Sequence, residues 1–384
     1  MNKLGFGFMR LPLTDPGDQT SVDIPLVERM ADCFFGAGFT YCDTAWMYHD
    51  FTSESAVGRA VVARRPRGSF RIASKMPVGM LHSHEEGAAI FEKQKANLGV
   101  DFFDCYLVHN MNVANYEKAR RYGMIPFLRE KRGSGEIRRL GFSCHDNAEY
   151  LDRVLGECPF FEFVQIQLNY LDWESEGVQS RKCYEVCVKH GKPVFVMEPV
   201  KGGTLANVPP EAEALLRAAH PSWSPASWAL RFAAGLPGVE IVLSGMSTMK
   251  QVLENTAFMK DMEPLSQGDL QVLEKCAALI RRTVSIPCTG CRYCVEESSC
   301  PKNIPIPSYF ALYNTEKLRT RPDWSPEKNY YADYVLQGRG RASDCVSCRS
   351  CEKVCPQRIR IAEWMREVRA LLEDGNDMLE GENS

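Results

Sequence analysis

Four side chains that could together hand a proton to a carbonyl oxygen stand at the ends of three short apolar runs. Gly38-Phe39-Thr40-Tyr41-Cys42-Asp43 ends on a carboxylate, with Tyr48 five residues later; Ile72-Ala73-Ser74-Lys75 ends on an amine; Cys105-Tyr106-Leu107-Val108-His109 ends on an imidazole. A free phenol, with pKa about 10, is too weak an acid for an alkoxide forming near neutral pH. An ammonium beside it favours the phenolate, and a carboxylate beside the ammonium keeps that amine charged and in place. These types suggest Tyr48 as proton donor, Lys75 as the group that lowers its pKa, Asp43 as the anchor of Lys75, and His109 as a hydrogen-bond donor that orients the carbonyl. Taken singly, each has an ordinary structural use; four at successive run ends are not so easily dismissed.

The cysteines suggest a second chemistry. Of 16 in the chain, eight fall in two tight runs, Cys288-x2-Cys291-x2-Cys294-x5-Cys300-Pro301 and Cys345-x2-Cys348-x2-Cys351-x3-Cys355-Pro356. Thiolates three apart in a looping backbone can face one 4Fe-4S cube, and this is the bacterial ferredoxin pattern, twice, in which the cysteine before proline serves the other cluster. It assigns Cys288, Cys291, Cys294 and Cys355 to one cube and Cys345, Cys348, Cys351 and Cys300 to the second. Zinc sites use paired cysteines, whereas each run here has three evenly spaced ones plus a Cys-Pro. The longer gap before Cys300 implies a bulged loop. The other eight (Cys33, Cys42, Cys105, Cys144, Cys158, Cys183, Cys187 and Cys276) read as small buried hydrophobes. Basic residues flank the runs at Arg319, Arg321, Arg339, Arg341, Arg349, Lys353, Arg358 and Arg360; they either offset the thiolate charge or dock an acidic, ferredoxin-type redox partner.

Positioning the first group requires strands that end on one face. Runs near Phe70 to Lys75, Asp104 to His109, Arg138 to Ser143, Phe163 to Asn169, Pro193 to Glu198 and Val239 to Gly245 join Leu4 to Leu11 and the Asp43 strand, making eight. Between them lie helical periodicities at Val22 to Gly36, Ser53 to Arg65 with Ser53 as cap, Glu85 to Leu98, Tyr116 to Arg132, Ala148 to Leu155, Gly177 to His190, Glu211 to Ala219 with Pro225 to Ala234, and Met249 to Met259. Eight near-continuously apolar strands, each followed by a helix, imply an α/β fold: a closed parallel (β/α)8 TIM barrel with its chemistry at the strands' C-terminal ends. A doubly wound sheet would need a Gly-x-Gly-x-x-Gly between first strand and first helix, and Gly5-Phe6-Gly7 opens no helix. The expected organisation is a barrel over 1–265, a connecting helix over 266–285, a small ferredoxin-like iron-sulfur domain over 286–373, and an acidic tail over 374–384.

At 384 residues the chain can bury a full core, and its net charge of −3 and isoelectric point near 6.2 give no footprint for nucleic acid. No apolar run approaches the ~20 residues of a membrane helix, and the N-terminus turns glycine-rich before an export signal can form. A cytoplasmic protein is expected.

The four strand-end residues, with Leu4-Gly5-Phe6-Gly7 and Met9-Arg10-Leu11-Pro12, resemble the aldo-keto reductases over roughly residues 3 to 260. The resemblance implies an NAD(P)H-dependent oxidoreductase with Asp43, Tyr48, Lys75 and His109 as catalytic tetrad. It places Ser143 (in Gly141-Phe142-Ser143), Gln165, Glu254 and Asn255 in the cofactor pocket. Cys144 stands where the family usually has Asn, and Met197 replaces a stacking tyrosine. The Lys and Arg that clamp the 2′-phosphate of NADPH become Gly245 and Gln251, leaving Lys250 as a possible partner. Gly202 and Gly203 would form a pyrophosphate loop. Three readings follow: a carbonyl reductase or alcohol dehydrogenase with two 4Fe-4S clusters for electron exchange or structure; a ferredoxin-coupled one-electron reductase without nicotinamide; and a non-catalytic electron-carrying subunit.

Overall fold

The computed structural model describes residues 2–175, 178–298, 300–317, 325–336, 338–376 and 379. Eight parallel strands close into a barrel in sequence order: β1 (Leu4–Gly7), β2 (Tyr41–Asp43), β3 (Arg71–Met76), β4 (Cys105–Val108), β5 (Leu140–Cys144), β6 (Phe163–Gln167), β7 (Val194–Met197) and β8 (Val239–Ser244), with β8 pairing back onto β1. Alternation along each strand sends every second side chain inward. One inward layer is apolar: Tyr41, Ala73, Cys105, Leu107, Phe163, Phe195, Ile241 and Leu243 pack together. Two residues further along the same faces come Asp43, Lys75, His109, Ser143, Gln165 and Met197, so the pleat alone carries polar groups to the C-terminal rim. Glycine is required twice in that lower layer. A Cβ on Gly5 would sit 2.8 Å from Leu243, and one on Gly141 2.7 Å from the Phe163 ring.

The helices fall close to their expected places, with two corrections. Ser53 does not cap the helix Ser53–Ala60; Thr52 holds that position, its hydroxyl donating back to the His49 carbonyl rather than accepting from a helix amide. The Ser53 hydroxyl instead pairs with Thr44 Oγ1 at 2.9 Å and donates to the Phe8 carbonyl at 3.2 Å, tying the rim together. The run Tyr116 to Arg132 is two helices, Val113–Arg121 and Met124–Gly133, broken where Gly123 adopts φ +64°.

Contacts divide the chain into two compact units, Met1–Val200 with Ser222–Leu270, and Lys201–Pro221 with Gln271–Ser384. The second unit is helical and includes Pro210–Ala219, Ile306–Lys317, Pro326–Leu336 and Ile361–Leu372. Its core is built on Ile286, Ile304, Ile306, Tyr309, Phe310, Tyr331, Ile359, Ile361 and Met365, with Cys294 buried among them and Cys288, Cys300, Cys345, Cys351 and Cys355 packed at its edge. Cys276 Sγ reaches the Ala212 carbonyl at 3.5 Å, joining the two segments of this unit. Most of the acidic tail (377, 378 and 380–384), and Arg319 and Arg321, lie outside the described residues.

Candidate active site and cysteine centre

Lys75 lies at the middle of the rim. Its ammonium donates to Asp43 Oδ1 at 2.6 Å, to the Thr44 carbonyl at 2.7 Å and to the Tyr48 hydroxyl at 3.4 Å, using all three of its protons. Tyr48 and His109 face each other edge-on, ring centroids 6.1 Å apart. Lys75 is 0 % exposed and Asp43 3 %, while Tyr48 keeps 9 %; the phenol is thus the most accessible of the four.

The electrostatics follow from that burial. It pushes the Asp43 carboxyl up, against the pull of Lys75. For Lys75, burial works downward but is outweighed by Asp43 and Tyr48, and its pKa ends above the ordinary value. Tyr48 departs from expectation. Burial raises its pKa by more than Lys75 and Arg10 lower it, because a phenolate loses more hydration here than one ammonium at 3.4 Å restores. His109 is driven well below the usual histidine range by burial, then by Lys75 and His145, which leaves a neutral imidazole at pH 7.

The turn that carries Tyr48 is tightly made. His49, Asp50 and Phe51 all have φ near +50 to +70°, and the His49 ring is clamped, its Nε2 accepting from the Leu11 amide at 2.9 Å and its Nδ1 3.2 Å from the Gln19 carbonyl. Behind Lys75, buried Glu54 accepts from Ser74 at 2.6 Å and Gln94 at 2.8 Å, and Gln94 also donates to the Lys75 carbonyl at 3.0 Å, fixing the β3 backbone from outside the barrel.

Of the residues expected around a nicotinamide, Ser143 and Gln165 share the rim with the tetrad. Ser143 Oγ accepts from the Asn110 amide at 2.8 Å. Gln165 Nε2 donates to Met197 Sδ at 3.6 Å while its Oε1 is buried with no partner among the described residues; a carboxamide N–H would satisfy that oxygen, so this end of the pocket suits the group. Asn255 is buried and donates to Ser244 Oγ at 3.1 Å. Glu254 is half-buried, and Gly245 and Lys250 are exposed. Gln251 folds back as part of a capping box, accepting from Ser247 and Thr248 amides at 2.7 and 3.2 Å. Gly202 and Gly203 belong to the second unit.

Two groups at the rim escaped the sequence reading. Arg10, just past β1, reaches Glu198 Oε1 at 3.5 Å and lies close enough to Tyr48 to lower its pKa. His145, directly after β5, sits near His109 and Lys75, and burial with Lys75 depresses it to about 4. Both stand past strand ends, the same signal that His109 carries.

In the second unit, Cys288, Cys291, Cys294 and Cys355 line one small pocket with Ile306, Phe310, Ile359 and Ile361. Cys351 feels Cys345 and Cys300 as neighbours, and its thiol is pushed up to about 12, first by burial; burial and the sulfurs of Cys291, Cys288 and Cys355 push Cys294 up as well. Deprotonated, sulfurs gathered this way would need a cationic centre to offset their charge. The backbone is prepared twice over for such a group. Left-handed φ recurs at matching places, Gly290, Arg292 and Asn303 in the first run and Ser347, Arg349 and Arg358 in the second; each lies two or four residues past the first cysteine, or three past the last. Such turns aim successive amides into one concavity, as iron-sulfur sites require. Amides of Gln357, Arg358 and Ile359 point at Cys355. No three His, Cys, Asp or Glu among the described residues gather as closely as a single ion would need.

The model of the aldo/keto reductase family matches residues 3–278. The chain belongs to that family. A 4Fe-4S dicluster domain matches residues 287–360, so this aldo-keto reductase, an oxidoreductase by family, carries an iron-sulfur domain after its barrel. Among solved structures, an aldo-keto reductase from Klebsiella pneumoniae in complex with NADPH is 21 % identical, covering 71 % of this chain and 90 % of that one with a TM-score of 0.54. The holo form of one from Bacillus halodurans is 23 % identical over 71 % and 91 %, TM-score 0.56, and one from Brucella melitensis 20 % over 71 % and 94 %, TM-score 0.54. At these identities the likeness speaks for the fold. Comparison with curated proteins finds no match. Among the described residues no helix is long and apolar enough to cross a membrane.

Proposed function

We propose that this aldo-keto reductase reduces the carbonyl of a small molecule with NADH or NADPH, reversibly, and that its second unit holds two 4Fe-4S clusters in the crossed ligand sets given above. The observation that carries the reading is the Asp43–Lys75–Tyr48 chain at the barrel rim, 2.6 and 3.4 Å long, beside a neutral imidazole. Bound NAD(P)H would supply hydride to the carbonyl carbon. His109, uncharged, orients the substrate by donating to its oxygen. Tyr48 gives its proton to that oxygen as charge develops there, and Lys75 stabilises the phenolate left behind. The raised pKa keeps Tyr48 protonated until the alkoxide forms. Ser143, Gln165 and Asn255 would hold the nicotinamide end of the cofactor.

A hydride carries two electrons and each cluster passes one, with no flavin-binding motif in the chain to convert between them. A ferredoxin-fed, one-electron reduction at the same acid site is the second reading, supported by the missing basic clamp at Gly245 and Gln251. Anaerobic stopped-flow with NADH, NADPH and reduced ferredoxin, following cluster absorbance and substrate loss, decides between them. Turnover with a nicotinamide and static clusters supports the first; turnover only with ferredoxin replaces it with the second; turnover with neither leaves the barrel without catalysis.

A further inference from the structure

The two cysteine runs correspond position for position as far as their third cysteine, yet they meet solvent differently. Thr289, after Cys288, is 5 % exposed, while Val346, after Cys345, is 57 % exposed. Tyr293, before Cys294, is buried, and its counterpart Ser350 is not. Cys291 is partly covered, whereas Cys348 is exposed, as are Ser347 and Arg349 on either side of it. The cover on the first run includes the turn Lys201–Gly203. There Lys201 donates to Gln357 Oε1 at 2.7 Å, and a Cβ on Gly202 would fall 2.4 Å from the Thr289 carbonyl oxygen. Val346 has no such cover among the described residues.

Charge divides the runs in the same sense. Residues 341–360 hold five bases, Arg341, Arg349, Lys353, Arg358 and Arg360, against two acids, Asp344 and Glu352; the matching window 284–303 holds two of each. Asp344 accepts from the Arg341 amide at 2.8 Å and Glu352 from the Ala362 amide at 2.9 Å, so both acids are turned to the backbone. Glu363 answers Arg360 at 3.4 Å and Arg349 at 4.0 Å, but ion pairs this exposed hold little, and a positive excess remains.

Electron transfer weakens steeply with distance, so a carrier in solution serves the cluster whose ligand reaches the surface. We propose that the loop 346–349 is the electron port of the chain, where an acidic ferredoxin-type protein docks and exchanges one electron with the cluster of Cys345, Cys348, Cys351 and Cys300. The inference rests on the ligand sets proposed above, and it holds whether or not the barrel uses these electrons. The partner's reduced cluster is oxidised by one electron as this one is reduced, with no bond made and no proton moved. Val346 supplies a small apolar centre and the bases a charged rim, as suits the limited contact of a transient redox encounter. Such a rim steers an acidic protein inward, while a second copy of this chain would bring like charges face to face.

The test is anaerobic stopped-flow between the reconstituted full chain and a reduced plant-type ferredoxin, whose 2Fe-2S spectrum is distinct, with iron content and EPR measured alongside. Wild type is compared with the double variant Arg349→Gln/Lys353→Gln and with Arg292→Gln, the matching position of the first run. The double variant should react about tenfold more slowly at low salt and lose most of the wild-type decline with ionic strength, both clusters remaining visible by EPR. Arg292→Gln should have the smaller effect. Equal loss in the two variants, loss in Arg292→Gln alone, or a wild-type rate indifferent to salt would overturn the proposal. If the double variant does not load iron, Val346→Glu places an acid at the centre of the same exposed loop; it should slow the reaction likewise, and an unchanged rate would overturn the port. Sedimentation showing that Val346→Glu breaks a dimer would give the face to a second copy and overturn it as well. A wild-type chain that loads no iron would overturn the ligand sets and the port together, and iron analysis tells that failure from the others.

Discussion

At the scale of residues, the rim shows which of two opposing effects governs Tyr48. That Asp43, Lys75 and His109 gather at one rim, with Tyr48 just beyond β2, was legible from run ends, because a strand's last inward residue must face the barrel mouth. The sign of the Tyr48 shift was not legible, since burial is a property of the closed fold. Tyr48→Phe should lose carbonyl reduction by at least the ~10²-fold typical of a general acid with iron content unchanged; steady-state rates with chemistry limiting check it, and survival within a few-fold would end the tetrad's catalytic assignment. Alcohol oxidation needs the phenolate, whose pKa is raised above 10. Its rate should therefore climb with pH through neutrality and past pH 9 without a plateau, while reduction stays flat over the same range. On the proposed reading, cofactor choice turns on Gly245 and Gln251. With a glycine at one clamp position and Gln251 folded into its helix cap, NADH should bind at least as well as NADPH. Fluorescence titration showing a marked NADPH preference would give the phosphate to Lys250 or Arg10 instead.

At the scale of elements, strand and helix order could be read directly, because apolar runs and three-four periodicity belong to single segments. What could not be read were contacts between segments: Ser53 serving Thr44 and Phe8 rather than its own helix, and the break at Gly123. The doubled cysteine pattern was plain, but the paired left-handed turns that shape each half were not, since Arg292, Ser347, Arg349 and Arg358 are not glycines. The pocket shared by Cys288, Cys291, Cys294 and Cys355 bears on the crossed pairing. Cys355→Ala should damage the cluster of the first run more than that of the second, read by iron analysis with EPR; selective loss at Cys345, Cys348 and Cys351 would mean that each run closes its own cube.

At the scale of the whole molecule, the chain crosses between its two units more than once. Lys201–Pro221 groups with the residues after 270 although it lies between β7 and β8 in sequence. Local periodicity carries no information about such a grouping; it emerges only from long-range contacts such as Lys201 to Gln357 and Cys276 to Ala212. Metal binding should drive folding of the second unit, with about eight iron per chain by analogy with two-cluster ferredoxins. Anaerobic removal of iron with a chelator should expose that unit's amides to hydrogen exchange, those of Lys201–Pro221 included, while the strands β1 to β6 stay protected. Uniform exchange across the barrel strands as well would show that the clusters support the entire chain.

The split segment also imposes a schedule on synthesis. Lys201–Pro221 leaves the ribosome roughly fifty residues before the rest of its unit begins, and at ~5–20 residues per second it waits several seconds for the first cysteine run and longer for the second. During that interval Lys201 has no Gln357 to meet and Gly202 no Thr289. If clusters are what fold this unit, a cell short of iron would leave the helix Pro210–Ala219 and its flanks undocked after synthesis ends, open to proteases. Iron supply would in this way be registered as abundance of the reductase, through the lifetime of one short insert.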